Sequence, residues 1–109
     1  VAKWDGASWS ALGAGVNNTV NALAVDSSGN LYAGGLFSLA GGNSASRIAK
    51  WDGSSWSALG SGLDATVNVL TFDSNGKLFA GGLFTLAGGN AANRIASWDG
   101  SSWSALGSG

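Results

Sequence analysis

The sequence contains no cysteine, histidine, proline, methionine or glutamate. Without cysteine there is neither a disulfide nor a thiolate metal site. Without histidine the commonest general base and the commonest metal ligand are both missing. Charge is scarce as well. Five Lys and Arg stand against six Asp, for a net charge of −1. That balance lacks the basic footprint of a nucleic-acid binder, so no nucleic-acid partner is expected. No apolar run approaches the roughly 18–20 residues of a membrane span, and no signal peptide is legible, so no membrane partner is expected either. The chain begins at Val1 and lacks methionine, which fits a removed initiator or a piece cut from a longer chain. The compartment is not readable. The lack of cysteine suits an extracellular or secreted bacterial protein and an engineered chain equally.

What is present is glycine, at 19 of 109 residues, and six Trp in a chain that is 45% hydrophobic. High glycine with little charge can mark a linker. So many apolar and aromatic residues rule that out and allow one small domain with a modest core. The phrase WDGSSWSALGSG stands at 51–62 and again at 98–109, with WDGASWSALGAG at 4–15. Trp4, Trp51 and Trp98 are therefore 47 residues apart, and residues 1–47 align with 48–94 without a gap. Of those 47 positions 15 differ, leaving 32 identical. A fixed period of this size signals a solenoid, a propeller or an array. The high identity between copies implies recent amplification or design.

Within a copy the pattern is that of β-structure. VNALAVD (20–26), the turn SSGN and LYAGGLF (31–37) read as a hairpin, with Asp26 to Asn30 supplying turn chemistry and Gly29 a positive φ. A longer Gly-rich loop, SLAGGNSAS, follows. RIAKWD (47–52) and SWSALGS (55–61) then join through a tight turn at Asp52, Gly53 and Ser54. No stretch sustains a helical period. The expected fold class is all-β. Each 47-residue copy forms a four-stranded antiparallel meander, which suits a β-propeller blade better than the shorter coils of a β-solenoid.

The order of landmarks resembles a kelch repeat: a Gly pair ending the second strand (Gly34 and Gly35), an aromatic on the third (Trp51) and a Trp on the fourth (Trp56). The second copy offers Gly81, Gly82, Trp98 and Trp103. Trp51 stands where kelch repeats usually carry Tyr, and the pairs at 41–42 and 88–89 are extra. The repeats also look like the near-identical blades of bacterial secreted propellers. The resemblance implies blades spanning 16–62 and 63–109, with 1–15 as an additional outer strand pair. It also implies inter-blade packing for all six Trp, Trp4 and Trp9 included, since indoles supply large buried area. The Gly pairs would clear space for neighbouring backbone.

Two blades do not close a ring, which typically needs four to eight or more. Two open apolar faces exceed what monomers tolerate. Head-to-tail association of copies is the expected answer, as a closed ring of about three to five chains or as a filament. Residues 1–15 and 95–109 then offer the same strands to the same place, and one set is redundant. A window cut from a longer array and a compact monomer are the alternatives.

Little chemistry is legible. Asp5, Asp52 and Asp99 share one repeat position, Asp26 and Asp73 another, and Asp64 stands apart; turn chemistry accounts for them. A glycosidase pair and a calcium loop at DSSGN are weaker readings. Lys3, Lys50 and Lys77 are expected to face solvent. No enzyme activity, metal or cofactor is expected. The leading expectation is a non-catalytic, self-assembling structural module. The alternative is a multivalent carbohydrate-binding propeller that uses exposed indoles, Asn43 and Asn90 of the GGN loops, and Arg47 and Arg94. A protein-docking platform is a third reading, which no loop insertion supports.

Overall fold

A computed structural model describes residues 1–4, 6–13 and 15–106, with the backbone alone at 2–4. The expectations placed on the Trp4 and Lys3 side chains and on Asp5 lie outside the described residues. Among the described residues every regular element is a strand. In chain order these are β1 (Ala2–Trp4), β2 (Trp9–Ala11), β3 (Val20–Val25), β4 (Leu31–Gly35), β5 (Leu39–Ala40), β6 (Asn43–Ser44), β7 (Ile48–Trp51) and β8 (Trp56–Ala58). The second copy supplies β9 (Val67–Phe72), β10 (Leu78–Gly82), β11 (Leu86–Ala87), β12 (Asn90–Ala91), β13 (Ile95–Trp98) and β14 (Trp103–Ala105).

Two four-stranded antiparallel sheets result, ordered β3-β4-β7-β8 and β9-β10-β13-β14. The strands of β1-β2 pair with each other, Trp4 opposite Trp9. The outer pair of each full sheet is built the same way, with Trp51 opposite Trp56 and Trp98 opposite Trp103. The fold is all-β: two propeller blades and one extra outer strand pair.

Local chemistry sets the turns. Asp26 Oδ1 accepts the backbone N–H groups of Ser28 and Asn30, closing the β3-β4 hairpin over Gly29 at φ +88°. Asp52 does the same for Ser54 and Ser55 between β7 and β8. The Gly-rich stretch after β4, expected as a loop, holds a second small hairpin, β5-β6. Gly41 and Gly42 both have positive φ (59° and 84°), the requirement of a tight two-residue hairpin turn. The hairpin is tied down from a distance. Asn17 Oδ1 accepts the N–H groups of Ser38 and Leu39, and Asp64 Oδ1 accepts those of Thr85 and Leu86 in the second copy.

The inner strand β4 is a nearly continuous apolar and glycine run because both of its faces are covered in a stack of sheets, and β10 repeats the run. Tyr32 through Gly35 are all buried. The core lies between sheets rather than within one. One cluster joins Tyr32, Ile48 and Leu59 of the first blade to Val67, Leu78, Phe84 and Trp103 of the second. The other joins Leu12, behind β2, to Ala33, Phe37, Ala49 and Trp56 of the first blade. Phe37 and Phe84 are completely buried, each worth about 1.5–3 kcal/mol of transfer free energy.

Candidate functional site: the interface between blades

The same contact is made twice along the chain, each time between an outer strand pair and the blade that follows it. Trp56 Nε1 donates to the carbonyl of Leu12 at 2.8 Å, and Trp103 Nε1 donates to that of Leu59 at 2.9 Å. Both indoles are buried. A buried indole N–H needs an acceptor, and here the preceding strand pair supplies it. Trp51 and Trp98 sit beside them, ring centres 5.4 and 5.3 Å apart and tilted. A Cβ on Gly13 would stand 3.1 Å from the Trp51 ring, and one on Gly60 would stand 3.4 Å from Trp98. Each Trp pair therefore clasps a Leu-Gly step of the preceding outer pair. Trp9, at the repeat position of Trp56 and Trp103, is 69% exposed.

Nearer the centre of the stack, the glycine pairs set the spacing. A Cβ on Gly34 would stand 2.6 Å from Val67 Cγ1, so the bare Gly34 backbone is what lets β9 of the next blade close in. Gly35 answers to its own blade: a Cβ there would overlap the carbonyl oxygen of Thr19. Gly82 stands in the same relation to Thr66. Both blades carry an irregular step in register at this point. Gly81 meets only Val69 of its own blade closely, at 3.0 Å. Beside Gly34, the Tyr32 ring stands edge-on to Phe72 of the second blade, with ring centres 5.1 Å apart. Asn21 adds a polar contact between the innermost strands, donating from Nδ2 to the Val67 carbonyl at 3.1 Å.

The two outer faces of the stack show this interface half made. On the leading face Leu23 is 53% and Val25 61% exposed, while their repeat counterparts Leu70 and Phe72 pack on the core. A hollow of about 400 Å³ lies there, lined by Val1, Leu12, Leu23, Val25, Leu31 and Trp51 among others. Its counterpart in the second blade is filled by Tyr32. On the trailing face Phe79, Gly81 and Ile95 are half-buried, where their counterparts Tyr32, Gly34 and Ile48 are buried.

A polar groove of about 380 Å³ runs along one edge of the interface. Ser46 and Arg47 come from the first blade, and Asp64, Leu86 and Gly89 from the second. Arg47 and Arg94 adopt left-handed backbone, at φ 66° and 64°. Each is held by two backbone bonds: Arg47 N–H to Phe37 O and Gly35 N–H to Arg47 O, with the same pair at Arg94. Arg47 Nε is buried without a hydrogen-bond partner among the described residues. The structure thus brings Arg47 beside the glycine turn of the next copy. Asn43 and Asn90 are exposed on β6 and β12.

The model of the Rax2 C-terminal beta propeller domain matches residues 3–108. The chain belongs to this propeller family. No curated protein and no solved structure matches it.

The described acids of the propeller serve its turns and hairpins. Hydrogen bonds from the backbone N–H groups of Ser54 and Ser55 hold the Asp52 carboxyl below its ordinary pKa, and those of Ser101 and Ser102 do so for Asp99. Asp64 is lowered by the N–H groups of Leu86 and Thr85. For Asp26 burial pushes upward, but hydrogen bonds from the Asn30 side chain and from the backbone of Asn30 and Ser28 outweigh it. Lys50, expected to face solvent, is half-buried instead, with Nζ 5.8 Å from the centre of the Tyr32 ring opposite it on β4. The aromatic ring draws the cation across the strand pair. Lys77 is exposed.

Sequence reasoning placed the Gly pairs and indoles at repeat positions but did not separate their roles. The buried indoles of Trp56 and Trp103 need acceptors, and the Leu-Gly steps at 12–13 and 59–60 supply them, but no local pattern links a Trp to a step 44 residues earlier.

Proposed function

We propose that this propeller module is a non-catalytic structural unit that assembles head to tail with copies of itself. It does so by repeating its own blade-on-blade interface. The observation that carries this reading is the hollow beside Leu23, Val25 and Trp51. Its lining residues hold the repeat positions of those around Tyr32 in the second blade, with Val25 where that blade has Phe72 and Val1 where it has Ile48. The trailing face presents Phe79 at the Tyr32 position and Gly81 at the Gly34 position. Phe79 of a partner copy would fill the hollow, and Val20 would lie over the partner's Gly81 as Val67 lies over Gly34. A kelch-like order of strands and a closed ring of about three to five chains belong to this reading.

The chemistry of the acids supports the non-catalytic half. A carboxyl whose pKa is held low is a poor proton donor near neutral pH. The carbohydrate-binding alternative asks for indoles free to stack on sugar. Trp51 and Trp98 are engaged instead by Gly13 and Gly60, which lie against Cζ3 and Cη2 of their rings.

Light scattering behind a size-exclusion column tests the reading. The expected result is a discrete mass of several chains at micromolar concentration. Gly81→Ala should keep the monomer fold, because the one tight contact of the Cβ is with Cγ2 of exposed Val69, at 3.0 Å. The same Cβ should weaken the assembly, because a partner's Val20 must approach there. A monomeric mass at every concentration would overturn the proposal.

A further inference from the structure

Residues 1–12 correspond to residues 95–106 at twice the 47-residue period. When the second blade of one copy takes its seat on the first blade of another, its β13-β14 falls where the receiving copy already holds β1-β2. Both pairs carry the same Leu after the second strand, Leu12 in one and Leu106 in the other, and the Trp56 clasp has room for one. Resting on the self-association proposed above, we infer that β1-β2 is a placeholder. It covers the seat in the free chain and gives way to β13-β14 of the partner copy. Leu106 of that copy then accepts the Trp56 indole N–H in place of Leu12.

Three observations choose this direction of exchange. The first is how each pair is held. β1-β2 forms a sheet of its own, and its described contacts with the blade include the Leu12 carbonyl and the packing of Val1, Leu12 and Gly13. β13-β14 is bonded into the second blade, with four residue pairs from Leu78↔Trp98 to Gly81↔Ile95, and is clasped to Leu59 by Trp103. Releasing β1-β2 breaks no ladder to an inner strand. Releasing β13-β14 breaks one.

The second observation is sequence. β13 brings Ile95 and Ser97 to positions where the N-terminal copy has Val1 and Lys3. Ser97 is buried opposite Phe79. Setting β1 against β10 would remove a methylene from the Ile95 position, which disfavours it, whereas a lysine at the Ser97 register is accommodated, as Lys50 is opposite Tyr32. The third observation is the leucine itself. Leu12 and Leu59 are 4% and 2% exposed beneath their Trp clasps, while Leu106 is 36% exposed.

The test uses the full chain in three forms: unaltered, Leu106→Asp and Leu12→Asp. Circular dichroism and thermal melting establish the fold of each, and light scattering across a dilution series gives the association. Leu106→Asp puts a carboxylate into the seat and should weaken association by about thirtyfold or more. Leu12→Asp loosens only the placeholder and should leave association unchanged or several-fold tighter, as expected when a competitor for a site is removed. If Leu12→Asp does not fold, hydrogen exchange on the unaltered chain decides. On assembly, amides in peptides beginning at Val1 should lose protection, and those in peptides beginning at Ile95 should gain it. An unaltered chain that stays monomeric overturns both the exchange and the self-association beneath it. A chain that assembles overturns the exchange alone if Leu12→Asp dissociates it and Leu106→Asp does not. Two folded variants with equal effects, or greater protection of residues 1–12 in the assembly, likewise overturn the exchange alone.

Discussion

Asp52 and Asp99 have equivalent positions and equivalent work: each carboxylate collects two backbone N–H groups of a Ser-Ser step. Such bonds favour the ionised form, so the folded-state pKa of these groups lies below the ordinary 3.8 of the unfolded chain. By linkage, the stability they contribute is fully present above the unfolded value. It is lost as pH falls through the folded value. With no histidine in the chain, the melting temperature should be flat from about pH 5 to 7 and fall below about pH 4. An Asp52→Asn/Asp99→Asn double variant keeps an acceptor oxygen but loses the titration, so its acid limb should be shallower. Melting curves from pH 2 to 7 check both, and an unchanged acid limb would count against the assignment. These turn roles were legible in the sequence because they are local. The clasp was not, because its two ends are 44 residues apart and nothing near Trp56 names Leu12. Trp9 shows the same limit: sequence equivalence gave it the role of Trp56, and only the stacking of sheets separates the two.

At the scale of the strand, adjacent glycines have different tasks. Gly82 faces the Thr66 backbone, where an added methyl group has no room. Gly81 faces the tip of the Val69 side chain. Gly82→Ala should cost about 2–4 kcal/mol, as overpacking against rigid backbone does. Gly81→Ala should cost less than about 1 kcal/mol. Urea denaturation of the two variants measures the difference, and equal losses would show that the register step at Gly82 does not require glycine. The four main strands of each copy were readable from β-branched runs and turn residues. The hairpin β5-β6 was not. Two-residue strands are too short to show alternation, and their glycines look the same as those of a loop. The anchor that holds this hairpin, residue 17 or 64, lies some 21 residues upstream.

At the scale of the molecule, the two open faces are apolar and the whole chain carries a net charge of only −1. Association through such faces should respond to salt as burial does, not as ion pairing does. Raising sodium chloride from about 50 mM to 500 mM, where the screening length shrinks from about 14 to 4 Å, should leave the assembled mass unchanged or raise it. Dissociation by salt would point to a charged interface elsewhere. The architecture was legible at this scale because the 47-residue period, read together with four strands per copy, suits a propeller blade better than a solenoid coil. The polar groove holding Arg47, Asp64 and Gly89 was not legible, since it exists only where two copies meet. Nor does any residue pattern announce that an arginine will take up left-handed backbone.

The clasp has a consequence for how such a gene can change. Trp56 to Leu12 and Trp103 to Leu59 are one bond written twice, each joining a copy to the one before it. If two alleles misalign by one repeat and recombine, the product gains or loses a whole blade. Each internal blade still inherits a Leu-Gly step to hold and a Trp pair to hold it with. The crossover point can fall anywhere in the unit, and the near-identity of the copies makes such misalignment easy. In this fold, blade number is therefore a heritable quantity that can drift by single steps without passing through a broken protein.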